Sequence, residues 1–176
     1  MAFRSRSRAR RSAPRKRAIW VNIPFGAVNF TETAGVQLLL TAEDWEAQFT
    51  SLANERAVLR AIVGEIVIQQ TTVGTLGGNM FWGIYMTDAN VTAAPAFTTV
   101  GMSEWDWLRT GVRPTSATLT GAALQSSNLF TQSIQIKAKR RMTSQDEIRF
   151  VAQYAGDAAA PAGIASGLLR FLVARD

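Results

Sequence analysis

The sequence predicts an all-β sandwich, on three observations. Short runs of β-branched and aromatic residues alternate with polar ones, clusters of Gly, Pro, Asn and Thr separate those runs, and a single stretch has helical spacing. The chain has 176 residues and is 47% hydrophobic, enough for one domain with a substantial core.

In chain order, the first strand is read in "RAIWVNIP" (17–24) and the second in "VQLLLT" (36–41), after the break at Ala34 and Gly35. "AEDWEAQFTSLA" (42–53) changes character. Trp45, Phe49 and Leu52 recur at spacings of four and three, so a short helix with Thr41 as N-cap is expected. Glu43, Asp44 and Glu46 then fall in its first turn, where carboxylates favour the helix dipole. "RAVLRAIVGEIVIQQ" (56–70) is apolar enough for a long buried strand, with Gly64 as a bulge or kink. Turn chemistry in "TTVGTLGGN" (71–79), followed by "MFWGIYMTD" (80–88), predicts a returning strand and hence a hairpin. Residues 89–111 and 113–127 read as long loops, of the kind that carry function or an interface.

The clearest alternation lies in "SIQIKAKRRMTSQDEIRFVAQYA" (133–155). Ile134, Ile136 and Ala138 alternate with Gln135, Lys137 and Lys139; Ile148, Phe150, Ala152 and Tyr154 alternate with Arg149, Val151 and Gln153. Two strands with one core face each, joined near Thr143 to Gln145, predict an antiparallel hairpin. "SGLLRFLVA" (166–174) is the last strand. Seven to eight strands, one short helix and long loops give a sandwich in which strands distant in sequence pair.

Charge divides the chain in two. Arg4, Arg6, Arg8, Arg10, Arg11, Arg15, Lys16 and Arg17 are eight of its 19 basic residues, and residues 1–17 hold no acid. The remaining 11 basic residues face all 13 acidic ones, so the formal +6 separates into +8 on an arm and −2 on a body spanning residues 18–176. Like charges repel and the arm has little apolar surface to bury, so it is expected to be disordered until it meets an anion. A secretory signal needs an apolar run after the charges, and "AIWVNIPFGAVNF" is broken by Asn22, Pro24 and Gly26. A mitochondrial transit peptide fits the composition but needs an apolar face that the arm lacks. "PRKR" (14–17) suits a nuclear-localisation signal, which is compatible with nucleic-acid binding. The leading expectation is a phosphate-binding arm. Guanidinium groups fork onto phosphate oxygens and stack on exposed bases, and single-stranded nucleic acid offers both. Such binding is electrostatic and insensitive to base sequence.

Lys137, Lys139, Arg140 and Arg141 form a second basic cluster. A solvated sheet face is its simplest reading; the functional one is that Lys137, Lys139 and Arg141 extend the arm's nucleic-acid contact. Asp146 and Glu147 are close enough in sequence to neutralise part of it. Glu104 and Asp106, flanked by Trp105 and Trp107, resemble paired carboxylates beside aromatics, but catalysis needs carboxylates facing each other across a substrate. The expectation there is a loop or interface segment. "TVGTLGGN" lacks the Lys-Ser/Thr of a phosphate loop and is read as a turn. With neither Cys nor His, the chain has no disulfide, no thiolate zinc site and not the commonest general base. No catalytic residue, metal site or cofactor is predicted. No run of 18 apolar residues occurs, so no membrane-spanning helix and no membrane insertion are expected.

In layout, the arm "RSRSRARRSAPRKR", the strand "VLRAIVGEIVI" with "MFWGIYMTD" after it, and "IQIKAKRRMTSQDEIRFV" resemble the single jelly-roll capsid proteins of small icosahedral viruses, of the circular single-stranded DNA virus or satellite-virus type. The resemblance implies an eight-stranded jelly roll and an arm facing the particle interior. It implies a non-enzymatic homo-oligomer of sixty copies or a multiple around single-stranded genomic nucleic acid. The virion is then the location, with the host nucleus as a stage before assembly. Two other classes fit the same residues: a monomeric cellular nucleic-acid-binding protein, and a jelly-roll carbohydrate-binding protein whose basic arm is a targeting tag.

Overall fold

Val21 and Phe25 turn inward from the first strand while Trp20, Asn22 and Pro24 turn outward. This alternation carries β1 (Ala18–Phe30) past a register shift between Phe25 and Val28, so the strand is longer than expected. The computed structural model describes residues 18–46, 56–72, 79–93, 95, 97, 105–114, 129–155 and 162–175. The further elements are β2 (Gly35–Leu40), α1 (Ala42–Glu46), β3 (Ala57–Thr72), β4 (Asn79–Asp88), β5 (Asp106–Pro114), β6 (Leu129–Met142), β7 (Asp146–Ala155) and β8 (Ala162–Arg175). Thr41 stands at the N-cap of α1: its backbone N–H and hydroxyl both donate to Asp44 Oδ2, at 2.7 and 3.1 Å. Trp45 is 1% exposed; Phe49 and Leu52 lie outside the described residues.

The strands form two antiparallel four-stranded sheets, ordered β1-β8-β3-β6 and β2-β7-β4-β5. That order is a jelly roll: a β-sandwich in which the two termini of the body pair, β1 against β8, and consecutive strands mostly sit in opposite sheets. Both expected hairpins are therefore wrong. β3 pairs β6 and β8 while β4 pairs β5 and β7, and β6 pairs β3 while β7 pairs β2 and β4. The turn at Thr143 carries the chain from one sheet to the other. Alternation reports which side chains face the core, and says nothing of which strand lies alongside. Within the stretch read as a loop, residues 106–111 belong to β5, an edge strand whose Val112 is 57% exposed and whose pattern is correspondingly weak.

The core lies between the sheets. Phe25, Leu59, Ile62, Ile66, Leu169 and Phe171 from one meet Leu40, Trp82, Ile84, Ile148, Phe150 and Tyr154 from the other. Phe25 and Phe150 rings sit 5.2 Å apart across it, as do Phe30 and Tyr154. Each such side chain contributes about 1.5–3 kcal/mol by leaving water. Gly64 is no bulge, since it pairs in register with Ile134 and Leu169. Its φ of 150° and the closeness of the Leu168 carbonyl leave no room for a Cβ. The register shift in β3 falls instead between Leu59 and Ala61.

A second cluster covers the outer face of the β2-β7-β4-β5 sheet. Tyr85, Phe97 and Val151 are buried there, with Phe81, Trp105 and Trp107 packed against them. Phe97 stacks on Phe81 at 5.6 Å and lies 5.2 Å from Trp107. Val151, expected on a polar face, is fully buried because the segment after β4 folds over it.

Candidate nucleic-acid interface

The eight arm cations, Arg4 to Arg17, lie outside the described residues. Their point of attachment does not. Ala18 pairs with Ala174, Ala174 with Val58, and Val58 with Arg141, so one row crosses all four strands from the root of the arm to the basic cluster. Three strand spacings make that row about 14 Å long. Lys137, Lys139 and Arg141 are all exposed on β6, the edge strand of this sheet. Two of the cations expected to act with the arm share its end of the sheet: Arg141 in the first row, and Lys137 in the next outward-facing one, Trp20–Leu172–Ala61–Lys137.

Arg140 behaves differently. The ladder runs from Lys137 opposite Ala61 to Arg140 opposite Leu59, so β6 has two residues where β3 has only Arg60. Arg140 is in phase with the core-facing Ile134 and Met142, so it points toward the other sheet, where its guanidinium meets Asp106 of β5 at 2.8 Å. A groove of about 320 Å³ lies along this seam, with Trp107, Ile136, Lys137 and Lys139 among its walls. Ile136 accordingly packs at the margin of the core, only partly buried. On the same seam Arg113 lies over the Phe130 ring, 4.3 Å from its centre.

Asp146 and Glu147 bond to residues outside the cluster. Asp146 accepts from the Thr143 N–H and hydroxyl at 2.7 and 2.9 Å, shaping the turn. Glu147 holds Arg149, accepting from Nε and Nη2 at 2.9 and 2.7 Å, while Nη1 donates to the Val91 carbonyl at 2.7 Å. Burial opposes the charge on Arg149, but Glu147 first and the neighbouring Tyr85 second together outweigh it, so the guanidinium is held above its ordinary pKa. This arginine is a strap between β7 and the segment after β4. Asp106 is engaged by Arg140, Trp105 and Trp107 pack within their own chain, and Glu104 lies outside the described residues. The aromatic-carboxylate stretch is thus a packing element. Among the described residues no group of three acids gathers as a metal would need, and no helix is long and apolar enough to cross a membrane.

The sequence reading passed over two residues of this face, Trp20 and Arg170. Arg170 lies over the Trp20 ring at 5.0 Å from its centre and donates through Nε to Asn22 Oδ1 at 3.0 Å. Its signal was present: Arg170 falls out of phase with Leu169, Phe171 and Val173, which are all buried.

No family model matches the chain, and no curated protein does. Among solved structures, it is similar to a chain in the structure of infectious bursal disease virus strain Gt, with 16% identity, a TM-score of 0.41, and 89% of this chain and 32% of that one covered. It is similar to a chain of cocksfoot mottle virus, at 13% identity and a TM-score of 0.38 over 85% of this chain and 91% of that one. For Mud crab tombus-like virus the values are 13% and 0.37, over 98% and 86%. The chain spans about a third of the length of the bursal disease virus chain that it matches.

Proposed function

We propose that this protein is a structural subunit of an icosahedral shell, whose jelly-roll body assembles with copies of itself and whose arginine arm neutralises packaged single-stranded nucleic acid. The separation of charge carries the reading: +8 lies in 17 residues beside a body of −2. The body's fold supports it, because closing β1 against β8 ties the arm to a rigid sheet. The arm then acts as a tether rather than as a domain. Sixty arms of eight charges each bring about 480 positive charges to one interior, enough for about that many phosphates. Gathering them makes each further contact effectively intramolecular, so shell and nucleic acid stabilise each other. "PRKR" supports passage through a nucleus before assembly. The role needs no catalytic group, no metal and no cofactor.

Sedimentation of the full-length protein after nuclease treatment tests this. A fast species carrying nuclease-protected nucleic acid, with particles in negative stain, is expected. A single slow species near the 19.2 kDa of one chain in low and high salt alike would leave the monomeric nucleic-acid binder as the better reading.

A further inference from the structure

We infer that the outer face of the β1-β8-β3-β6 sheet around Trp20 is a base-stacking site, continuing the arm's grip on single-stranded nucleic acid onto the folded body. The inference rests on the proposed nucleic-acid role of the arm and deepens it.

Four observations point to that ligand. Trp20 is 41% exposed on a paired strand, near its start, where an indole leaves a large apolar surface in water unless something covers it. One side of the ring is steadied by Arg170, itself held by Asn22, so the indole is fixed in place before any ligand arrives. A fixed indole with a guanidinium beside it offers a base a π-surface and its phosphate a charge. Cations continue across the face. Lys137 ends the row that Trp20 begins, and Arg141 ends the row of Ala18. The exposed Glu65 lies in the row of Pro24 and Leu168, four residues further along β1 and about 13 Å away.

Tethering completes the case. Trp20 is three residues beyond Arg17, within about 11 Å of extended chain. A strand bound by the end of the arm is therefore presented to the indole at high effective concentration. A second copy of the chain suits this face less well, because Arg170 and Lys137 would meet their own likeness, and the exposed Glu65 lies about 13 Å from Trp20 along β1. On the opposite sheet Phe97 and Trp107 pack over Tyr85 and Val151, and the large apolar residues left exposed there, Val36, Leu38 and Val112, are aliphatic.

The test uses full-length protein with two probes, a mixed-sequence single-stranded 20-mer and inorganic polyphosphate, which has charge but no bases. Trp20→Ala is expected to weaken the 20-mer about tenfold or more, with the salt slope unchanged, and to leave polyphosphate binding as it was. Trp20→Phe should restore most of the affinity while abolishing quenching of tryptophan emission by the 20-mer. Lys137→Ala should lower the salt slope by about one for both probes. Equal affinity of Trp20→Ala and wild type for the 20-mer would overturn the inference while leaving the arm's role intact. Equal losses on both probes would also overturn it, by showing no contribution from bases. Altered sedimentation of Trp20→Ala without nucleic acid, at unchanged 20-mer affinity, would assign the face to contacts between copies instead. Wild-type protein that bound neither probe would remove the proposed function itself.

Discussion

At Tyr85 and Tyr154 a single buried hydroxyl sets a pH limit on the fold. Burial pushes the Tyr154 hydroxyl above its ordinary value of 10.0, and does the same at Tyr85 against the opposing pull of the Arg149 guanidinium. The Tyr85 hydroxyl meets no hydrogen-bond partner at bonding geometry, whereas Tyr154 donates a long bond of 3.4 Å to the Ala162 carbonyl. Both phenols keep their proton in the folded chain at a pH where the unfolded chain gives it up. Their contribution to stability is therefore complete below pH 10 and is lost as pH rises from there toward the folded values. Urea midpoints should fall above pH 10, and Tyr154→Phe should flatten that fall. A Tyr154→Phe profile as steep as wild type would show that other groups govern the alkaline limit. Tyr85→Phe should be at least as stable as wild type at neutral pH, because it removes a polar atom buried without a partner.

Among the elements, β3 carries the most constraint, since it pairs on both sides and contributes four fully buried residues, Leu59, Ile62, Ile66 and Ile68. Gly64 sits in its middle with a φ of 150°, where the backbone passes close to the Leu168 carbonyl of β8. A methyl group there meets backbone that cannot swing away, and the φ itself strains any L side chain. Gly64→Ala should destabilise the fold by about 1–3 kcal/mol in urea unfolding. A change within about 0.5 kcal/mol, typical of a neutral surface site, would mean that β3 and β8 can move apart at no expense. The paired edges show the same economy of space: the Trp107 ring lies over Gly83 and the Trp82 ring over Gly111, so each glycine seats a tryptophan from the neighbouring strand.

For the whole molecule, the decisive property is the uneven charge, +8 on residues 1–17 and −2 on residues 18–176. The described core draws on residues from Ile19 to Val173. Deleting residues 1–17 should therefore leave the strand-dominated circular dichroism spectrum and the melting temperature nearly unchanged, while removing most nucleic-acid affinity. If all eight arm cations contact single-stranded phosphates, the arm contributes a slope of log affinity against log salt of no more than about −6. A truncated protein that kept both affinity and slope would move the binding to the body, to Lys137, Lys139 and Arg141 first.

The sequence alone determined the core face of the most regularly alternating strands and the division of charge. Ile148, Phe150, Ala152 and Tyr154 were assigned to the core from alternation, and all four are buried, because a period of two places every second side chain on one side of a sheet whatever its partner. The division of charge is a property of composition, eight cations and no acid in residues 1–17. Tertiary structure decided the pairing. It sent β3 and β4, and β6 and β7, into opposite sheets, because strand partners are chosen by packing across a sandwich about 10 Å thick and leave no local signal. It buried Val151 on the outer side by laying Phe97 over it. It also placed Trp20, Arg170 and Lys137 on one face, residues up to 150 positions apart that only the β1-β8-β3-β6 order brings together.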